Sequence, residues 1–319
     1  LRPLEDTGSL VCPALDCGQE YPVIEGIPIL ARDVRGWIRA NHADLLARHD
    51  LAPPIQSLIG DCLDPTAPFN LSRQHLSIYA ADHYGTGTER RGSGSVHDLL
   101  AAGLAHCSAL PDGAVLDLGC AVGGTTFALA RHFPRRPVLG LDLSWSMLRL
   151  GREALDTGAV TYPLREVGLV YENCTRPVER TGAQPAGFWL ADAIDPPLPP
   201  ESAALIVALN LLDCVNDPPG LLRSIAALLV PGGVCVLATP FDWSANATPI
   251  EGWIGGHSQR APDAGRAEPR LQRLLENTGL DVVAQENHDW SLRLHARSRV
   301  SYDSALFVLR KPAAEGLGQ

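Results

Sequence analysis

The stretch VLDLGCAVGGTTFALA, residues 115–130, passes from an apolar strand pattern through a glycine turn into an apolar helix pattern. A carboxylate, Asp117, and small residues at Gly119, Ala121, Gly123 and Gly124 mark the change of period. In an open α/β sheet, ligands bind beyond the carboxyl ends of the strands, where glycines let a ligand approach the backbone and the next helix presents free amides. The stretch therefore predicts a cofactor site. A dinucleotide fingerprint would read G-x-G-x-x-G and face a pyrophosphate. Here the order is D-L-G-C-A-V-G, and a carboxylate that would repel a pyrophosphate complements a zwitterionic amino acid.

Outward from this turn the pattern alternates. Strand patterns fall at 114–118, 137–143, 187–192, 203–210, 232–239, 280–287 and 304–311, and helix patterns at 123–132, 145–155, 218–229 and 268–277. Apolar strands bracketing amphipathic helices predict an α/β fold: a Rossmann-like, doubly wound, mostly parallel seven-stranded sheet over residues 111–313. Asp142 ends the second of these strands, about 20 residues beyond the glycine turn, where an acidic side chain accepts both ribose hydroxyls and excludes a 2′-phosphate. Asp192 ends the third strand. A single Asp at a strand end reads as a helix cap, but carboxylates at successive strand ends point to a ligand.

The rest of the chain divides into a small β module at 1–35, a helical linker and lid at 36–110, and a tail at 314–319. LDPTAPFN, residues 63–70, reads as an ordered loop and GTGTERRGSGS, residues 85–95, as a mobile one. Residues 158–186, rich in Gly, Pro and Thr, read as an insertion over the active face.

Composition excludes several function classes. The chain has 319 residues, with 26 Lys and Arg against 36 Asp and Glu for a formal net charge of −10, and Lys311 is its one lysine. It lacks the dense basic surface that nucleic acid requires. No stretch approaches a membrane span and no basic segment precedes an apolar run at the start, so a cytoplasmic protein is expected. Eight cysteines, three of them inside apolar strand patterns (Cys120, Cys214, Cys235), predict no structural disulfides.

The motif at 117–123 resembles motif I of the class I S-adenosylmethionine-dependent methyltransferases. The resemblance implies S-adenosylmethionine as methyl donor and S-adenosylhomocysteine as product. It places Asp117 near the methionine ammonium and Asp192 near the adenine amino group, and it makes Gly119, Cys120, Ala121, Gly123, Asp142, Leu143, Met147, Ala193 and Asn210 the expected cofactor-binding residues. LLVPGGVCVLATP, before and through the fifth strand, also looks like that class.

With YAADHYG (79–85), ALNLLDCVNDP (208–218) and ATPFDWSANATPIEGWIGG (238–256), the pattern resembles the C-terminal methyltransferase domain of ovothiol synthases over about residues 75–312. That resemblance implies methylation of an imidazole nitrogen of a thiohistidine. The front does not resemble the iron-dependent sulfoxide synthase part of those enzymes, so the acceptor is expected from elsewhere. CPALDCGQEYPVIEGIPIL instead resembles a Trm112-like zinc ribbon, which implies docking of a biosynthetic partner. Cys12 and Cys17 make at most one ligand pair, so a degenerate ribbon packed on Tyr21, Ile24, Ile27 and Ile29, without zinc, is expected.

Methyl transfer needs positioning and a neutral nucleophile more than a strong acid or base. Candidate catalytic residues are Asn210, Asp213, His83 and Tyr84; Asn210 reads equally as a cofactor ligand and Asp213 as a helix cap. Trp243 and Trp253 read as an aromatic wall against the acceptor, or as core. Tyr84 and Tyr171 complete the expected substrate contacts, and Arg165, Arg176 and Arg180 could meet a substrate carboxylate. The alternatives are a methyltransferase for N, C, O or S of a peptide or natural-product intermediate, and a partner-docking protein with little chemistry of its own.

Overall fold

The computed structural model describes residues 1–4, 9–14, 16–24, 26–40, 56, 60, 63–86, 95–107, 109–179 and 186–313. At its centre lie seven strands: β5 (Ala114–Leu118), β6 (Val138–Asp142), β9 (Ala186–Ala191), β10 (Ala203–Leu209), β11 (Leu229–Thr239), β12 (Asp281–His295) and β13 (Ser298–Arg310). Their order is β9-β6-β5-β10-β11-β13-β12, parallel from β9 to β11 and antiparallel through the last two. The order reverses direction at β5, the strand that carries Asp117. The crevice at such a reversal is where open α/β sheets bind ligands.

The β module does not stand apart from this sheet. Its strands β1 (Arg2–Leu4), β2 (Ser9–Val11), β3 (Glu20–Ile24) and β4 (Ile27–Leu30) pair antiparallel in sequence order. β4 then pairs in parallel with β9, Ile29 opposite Leu190 and Leu30 opposite Ala191, so the whole becomes one sheet of 11 strands. Ile27 and Ile29 are fully buried at that junction, which gives the apolar pairs of the module their role.

Helices cover both faces. On one face lie α2 (Pro68–Tyr84), α3 (Val96–Ala105), α4 (Gly124–His132) and α5 (Trp145–Thr157), which contribute Ala80, Leu99, Phe127 and Leu148 to the core. On the other lie α6 (Pro218–Leu228) and α7 (Ala267–Thr278), which contribute Leu221, Ile225, Leu271 and Leu275. A short helix α1 (Val34–Ala40) follows the β module. Fully buried apolar strands between two helix layers account for the unbroken hydrophobic runs of β10 and β11.

Three expectations change. Pro68 opens α2 at a position where its missing amide costs nothing, so the expected loop ends at Ala67. The insertion expected at 158–186 contains a hairpin of β7 (Ala159–Val167) and β8 (Val170–Pro177), so its described part is largely regular strand. Val160, Tyr162 and Leu164 alternate inward as buried core, packing the hairpin on α2 and α5. The strands β12 and β13 also run well past their expected ends, joined by a turn at Ala296 and Arg297 that carries neither Gly nor Pro. Residues 87–94 of the Gly-rich loop, Arg180 and the tail at 314–319 lie outside the described residues.

Candidate active site

A cavity of about 450 Å³ opens at the carboxyl ends of β5, β6, β9 and β10. Its floor is the turn after β5. Gly119 there has φ 71°, and a Cβ would come within 2.8 Å of the Leu211 side chain, so backbone replaces side chain on this wall. Gly123, also left-handed, caps α4, and the N–H of Gly124 donates to His83 Nδ1 at 3.0 Å. His83 therefore carries its ring proton on Nε2. The close approach needs glycine, since a Cβ on Gly124 would lie 2.6 Å from that of His83.

Carboxylates rim the cavity. Asp117 Oδ2 accepts from the hydroxyls of Thr125 (2.8 Å) and Thr126 (2.6 Å), tying β5 to the first turn of α4. Burial pushes its pKa up to about 6; the two hydroxyls oppose this and Asp142 adds to it. Asp142 Oδ2 accepts from the N–H of Ala121 at 2.9 Å and its Oδ1 from that of Ser144 at 2.7 Å. Burial raises its pKa, against those backbone donors. Asp192 Oδ1 accepts from the N–H of Ile194.

Beyond β10 the lining changes character. Asn210, in a left-handed turn with φ 51°, accepts at Oδ1 from Ser304 Oγ at 2.9 Å. Ser304 Oγ in turn accepts from Trp290 Nε1 at 3.1 Å. Asp213 Oδ2 accepts from the N–H of Asp242 at 2.7 Å, whereas Oδ1 is buried without a hydrogen-bond partner among the described residues. Burial pushes Asp213 up to about 6, the backbone N–H groups of Asp213 and Asp242 and the Thr239 hydroxyl opposing and the Asp242 charge adding. Such an orphaned carboxylate oxygen in a cavity asks for a donor from a ligand.

Of the expected cofactor residues, Asp117, Gly119, Ala121, Asp142, Leu143, Met147, Asp192, Ala193 and Asn210 line the cavity. Cys120 and Gly123 do not: Cys120 is buried and Gly123 sits under Phe188. Among the catalytic candidates Asn210, Asp213 and His83 line it, while Tyr84 donates its hydroxyl to the Val122 carbonyl at 2.5 Å.

Tyr171, Trp243 and Trp253 lie outside the lining. Tyr171 is covered by the Arg73 guanidinium, 4.2 Å above its ring, because the hairpin packs on α2. Trp243 and Trp253 stack on each other at 6.1 Å, and Trp253 Nε1 donates to the Thr248 carbonyl at 2.8 Å. The Thr248 hydroxyl reaches the carbonyls of Asp213 (3.1 Å) and Val215 (2.6 Å), so this segment buttresses Asp213 from behind. Arg165 binds Gln74 and the Gly168 carbonyl, and Arg176 points along its own hairpin.

Sequence reasoning missed Tyr79, Asp82, Asp242, Trp290, Leu292 and Tyr302, all of which line the cavity. Tyr79 stood within a stretch already singled out; Trp290 and Tyr302 lie beyond the expected strand ends and carried no signal. Six of the lining residues are aspartates, and no lysine or arginine lines the cavity among the described residues. The space, the glycine wall and the acidic rim suit a ligand with a net positive charge, such as S-adenosylmethionine. In the β module, the Cys12 thiol is held below its ordinary range by the Ala14 backbone and the Cys17 thiol beside it. No group of three metal-ligating side chains gathers among the described residues, and no helix there is long and apolar enough to cross a membrane.

Comparison with known proteins gives the family. The family described as "Methyltransferase domain" matches residues 94–285, three-fifths of the chain. Phosphoethanolamine N-methyltransferase 1 of Arabidopsis thaliana is 28% identical over 200 residues, which are 62% of this chain and 35% of that one. Trans-aconitate 2-methyltransferase of Variovorax paradoxus is 29% identical over 167 residues, 52% of this chain and 53% of that one. The chain thus spans about a third of the length of the phosphoethanolamine enzyme. Among solved structures, phosphoethanolamine N-methyltransferase 2 of Haemonchus contortus in complex with S-adenosyl-L-methionine has a TM-score of 0.49 at 13% identity, covering 78% of this chain and 59% of that one. The chain belongs to the methyltransferase domain family and carries the S-adenosylmethionine-dependent methyltransferase fold.

Proposed function

We propose that this chain methylates a nitrogen of a small histidine-derived acceptor, an imidazole of the thiohistidine type. The observation that carries the reading is the buried Oδ1 of Asp213, which lines the cavity without a hydrogen-bond partner among the described residues. S-adenosylmethionine supplies a methyl group on a positive sulfur, open to displacement by a neutral lone pair. Asp117 and Asp142 would hold its ammonium and ribose, with Gly119 and Ala121 lending backbone and Met147, Asp192 and Ala193 flanking the adenine.

The remaining work falls to Asp213 and Asn210. An imidazole N–H donated to Asp213 Oδ1 fixes the tautomer and leaves the other ring nitrogen with a bare lone pair. After methylation the ring is cationic, and Asp213 accepts the proton that the product sheds. Since Ser304 occupies Asn210 Oδ1, the N–H₂ group of this cavity-lining residue would be the donor offered to the acceptor. Residues 1–35 we read as a Trm112-like module for docking a biosynthetic partner, supported by its position as the outer continuation of the sheet.

The test is mass-spectrometric turnover with S-adenosylmethionine and 4-mercaptohistidine, histidine, carnosine and a histidine-containing peptide, with Asp117→Ala as blank. Gain of one methyl on mercaptohistidine is expected. No transfer to any imidazole, despite measurable cofactor binding, overturns the reading in favour of a peptide or natural-product acceptor.

A further inference from the structure

The end of the cavity away from the glycine turn is built from aromatic rings that none of the preceding roles uses. Trp290 and Tyr302 face each other across β12 and β13 in direct register, their rings stacked at 5.3 Å and 24°. Both line the cavity, as does Tyr79 from α2. The Tyr302 hydroxyl hydrogen-bonds Asp242, whose own N–H holds Asp213. Trp290 is 5% exposed and is fixed in orientation by its bond to the fully buried Ser304, which continues to Asn210. The rings are therefore rigid with respect to the two polar groups assigned to the acceptor.

Rigid flat faces beside buried carboxylates select a particular chemistry. A flat ring gains stacking there, and an N–H or a positive charge on its edge finds an acceptor. An acceptor carrying several carboxylates meets only like charge and loses its hydration without return. An aliphatic amine gains the charge but not the stack.

We propose that Trp290 and Tyr302 form the platform that sets acceptor specificity, with the Tyr302–Asp242 pair as its acidic edge, so that the site takes flat, N–H-bearing nitrogen rings and rejects polycarboxylates. This rests on the reading of the cavity given above, but it is tested by binding and not by turnover.

The experiment titrates 4-methylimidazole, n-propylamine and tricarballylate into the full chain, alone and with S-adenosylhomocysteine, by calorimetry at neutral pH. The imidazole is expected to bind, n-propylamine more weakly, and tricarballylate not at all. Tyr302→Leu, which removes the stack, should weaken imidazole binding by about three- to tenfold. Tyr302→Phe should keep the stack and reduce the preference for imidazole over n-propylamine, and Trp290→Phe should fall between wild type and Tyr302→Leu. S-adenosylhomocysteine affinity serves as the check that each variant is folded.

Equal imidazole affinity in wild type and Tyr302→Leu, or tricarballylate binding as tightly as imidazole, overturns the platform. If these binding shifts appear while no imidazole is methylated, the platform stands and the function above falls. If methylation occurs and the variants bind alike, the reverse holds.

Discussion

Replacing Asp213 by Asn should make the protein more stable and less active at once. Burial moves this carboxyl from an ordinary 3.8 to about 6, so the folded state disfavours its charged form. The cost of holding it ionised is about 3 kcal/mol, taking 1.36 kcal/mol for each tenfold of the difference. Because the folded pKa is the higher one, the penalty is absent below 3.8, grows as pH rises through the interval, and is complete above about 6. Asn keeps a carbonyl for the N–H of Asp242, now 2.7 Å from Oδ2, and carries no charge.

Urea unfolding of the unliganded protein at pH 7.5 should therefore show Asp213→Asn more stable by up to about 3 kcal/mol, several degrees in a thermal scan. At pH 4 the gain should shrink to about 0.5 kcal/mol. Turnover should fall at least about 100-fold, the ordinary worth of a positioned proton acceptor. A variant less stable than wild type at pH 7.5, or a gain of the same size at pH 4, would refute the argument, because either means that Oδ1 finds a donor within the protein.

Other consequences follow from the same contacts. Protonation of Asp117 should weaken cofactor affinity by about tenfold for each pH unit below its value near 6, and Asp117→Asn should flatten that limb in a fluorescence titration. Gly119→Ala forces an L residue to φ 71° against Leu211 and should reduce cofactor affinity by about tenfold or more, read in the same titration. Tyr84→Phe leaves the Val122 carbonyl without its partner and should cost about 1–3 kcal/mol in urea while changing kcat only a few-fold. Thr248→Val, which releases the carbonyls of Asp213 and Val215, should lower kcat more than cofactor affinity, measured by steady-state kinetics against calorimetry.

The order of elements was legible because each carries a local signal. Period-two and unbroken apolar strands alternate with period-3.6 helices, so all seven central strands and the four helices between them could be placed. The glycine-turn end of the cavity was legible for a related reason: its residues belong to the ends of β5, β6 and β9, adjacent parallel strands of the sheet, which bring Asp117, Asp142 and Asp192 to one cavity. Cys120 and Gly123 share that stretch with the lining residues but do not line the cavity: Cys120 is buried in the core, and Gly123 caps α4 beneath Phe188.

The opposite end of the cavity was not legible. Trp243 and Trp253, conspicuous in the sequence, support the Asp213 segment from outside the cavity through Thr248. Trp290 and Tyr302 do line it, on parts of β12 and β13 whose mixed polar composition hid the extension and whose turn has no glycine or proline to announce it. What the sequence by itself determined is the fold, the glycine turn and the carboxylate at each strand end, because propensity and periodicity act over neighbouring residues. Only the tertiary structure decided which aromatic rings line the cavity and that Asp213 Oδ1 has no hydrogen-bond partner among the described residues, because burial is set by segments far apart in the chain, as where Tyr79 and Tyr302 meet on one cavity.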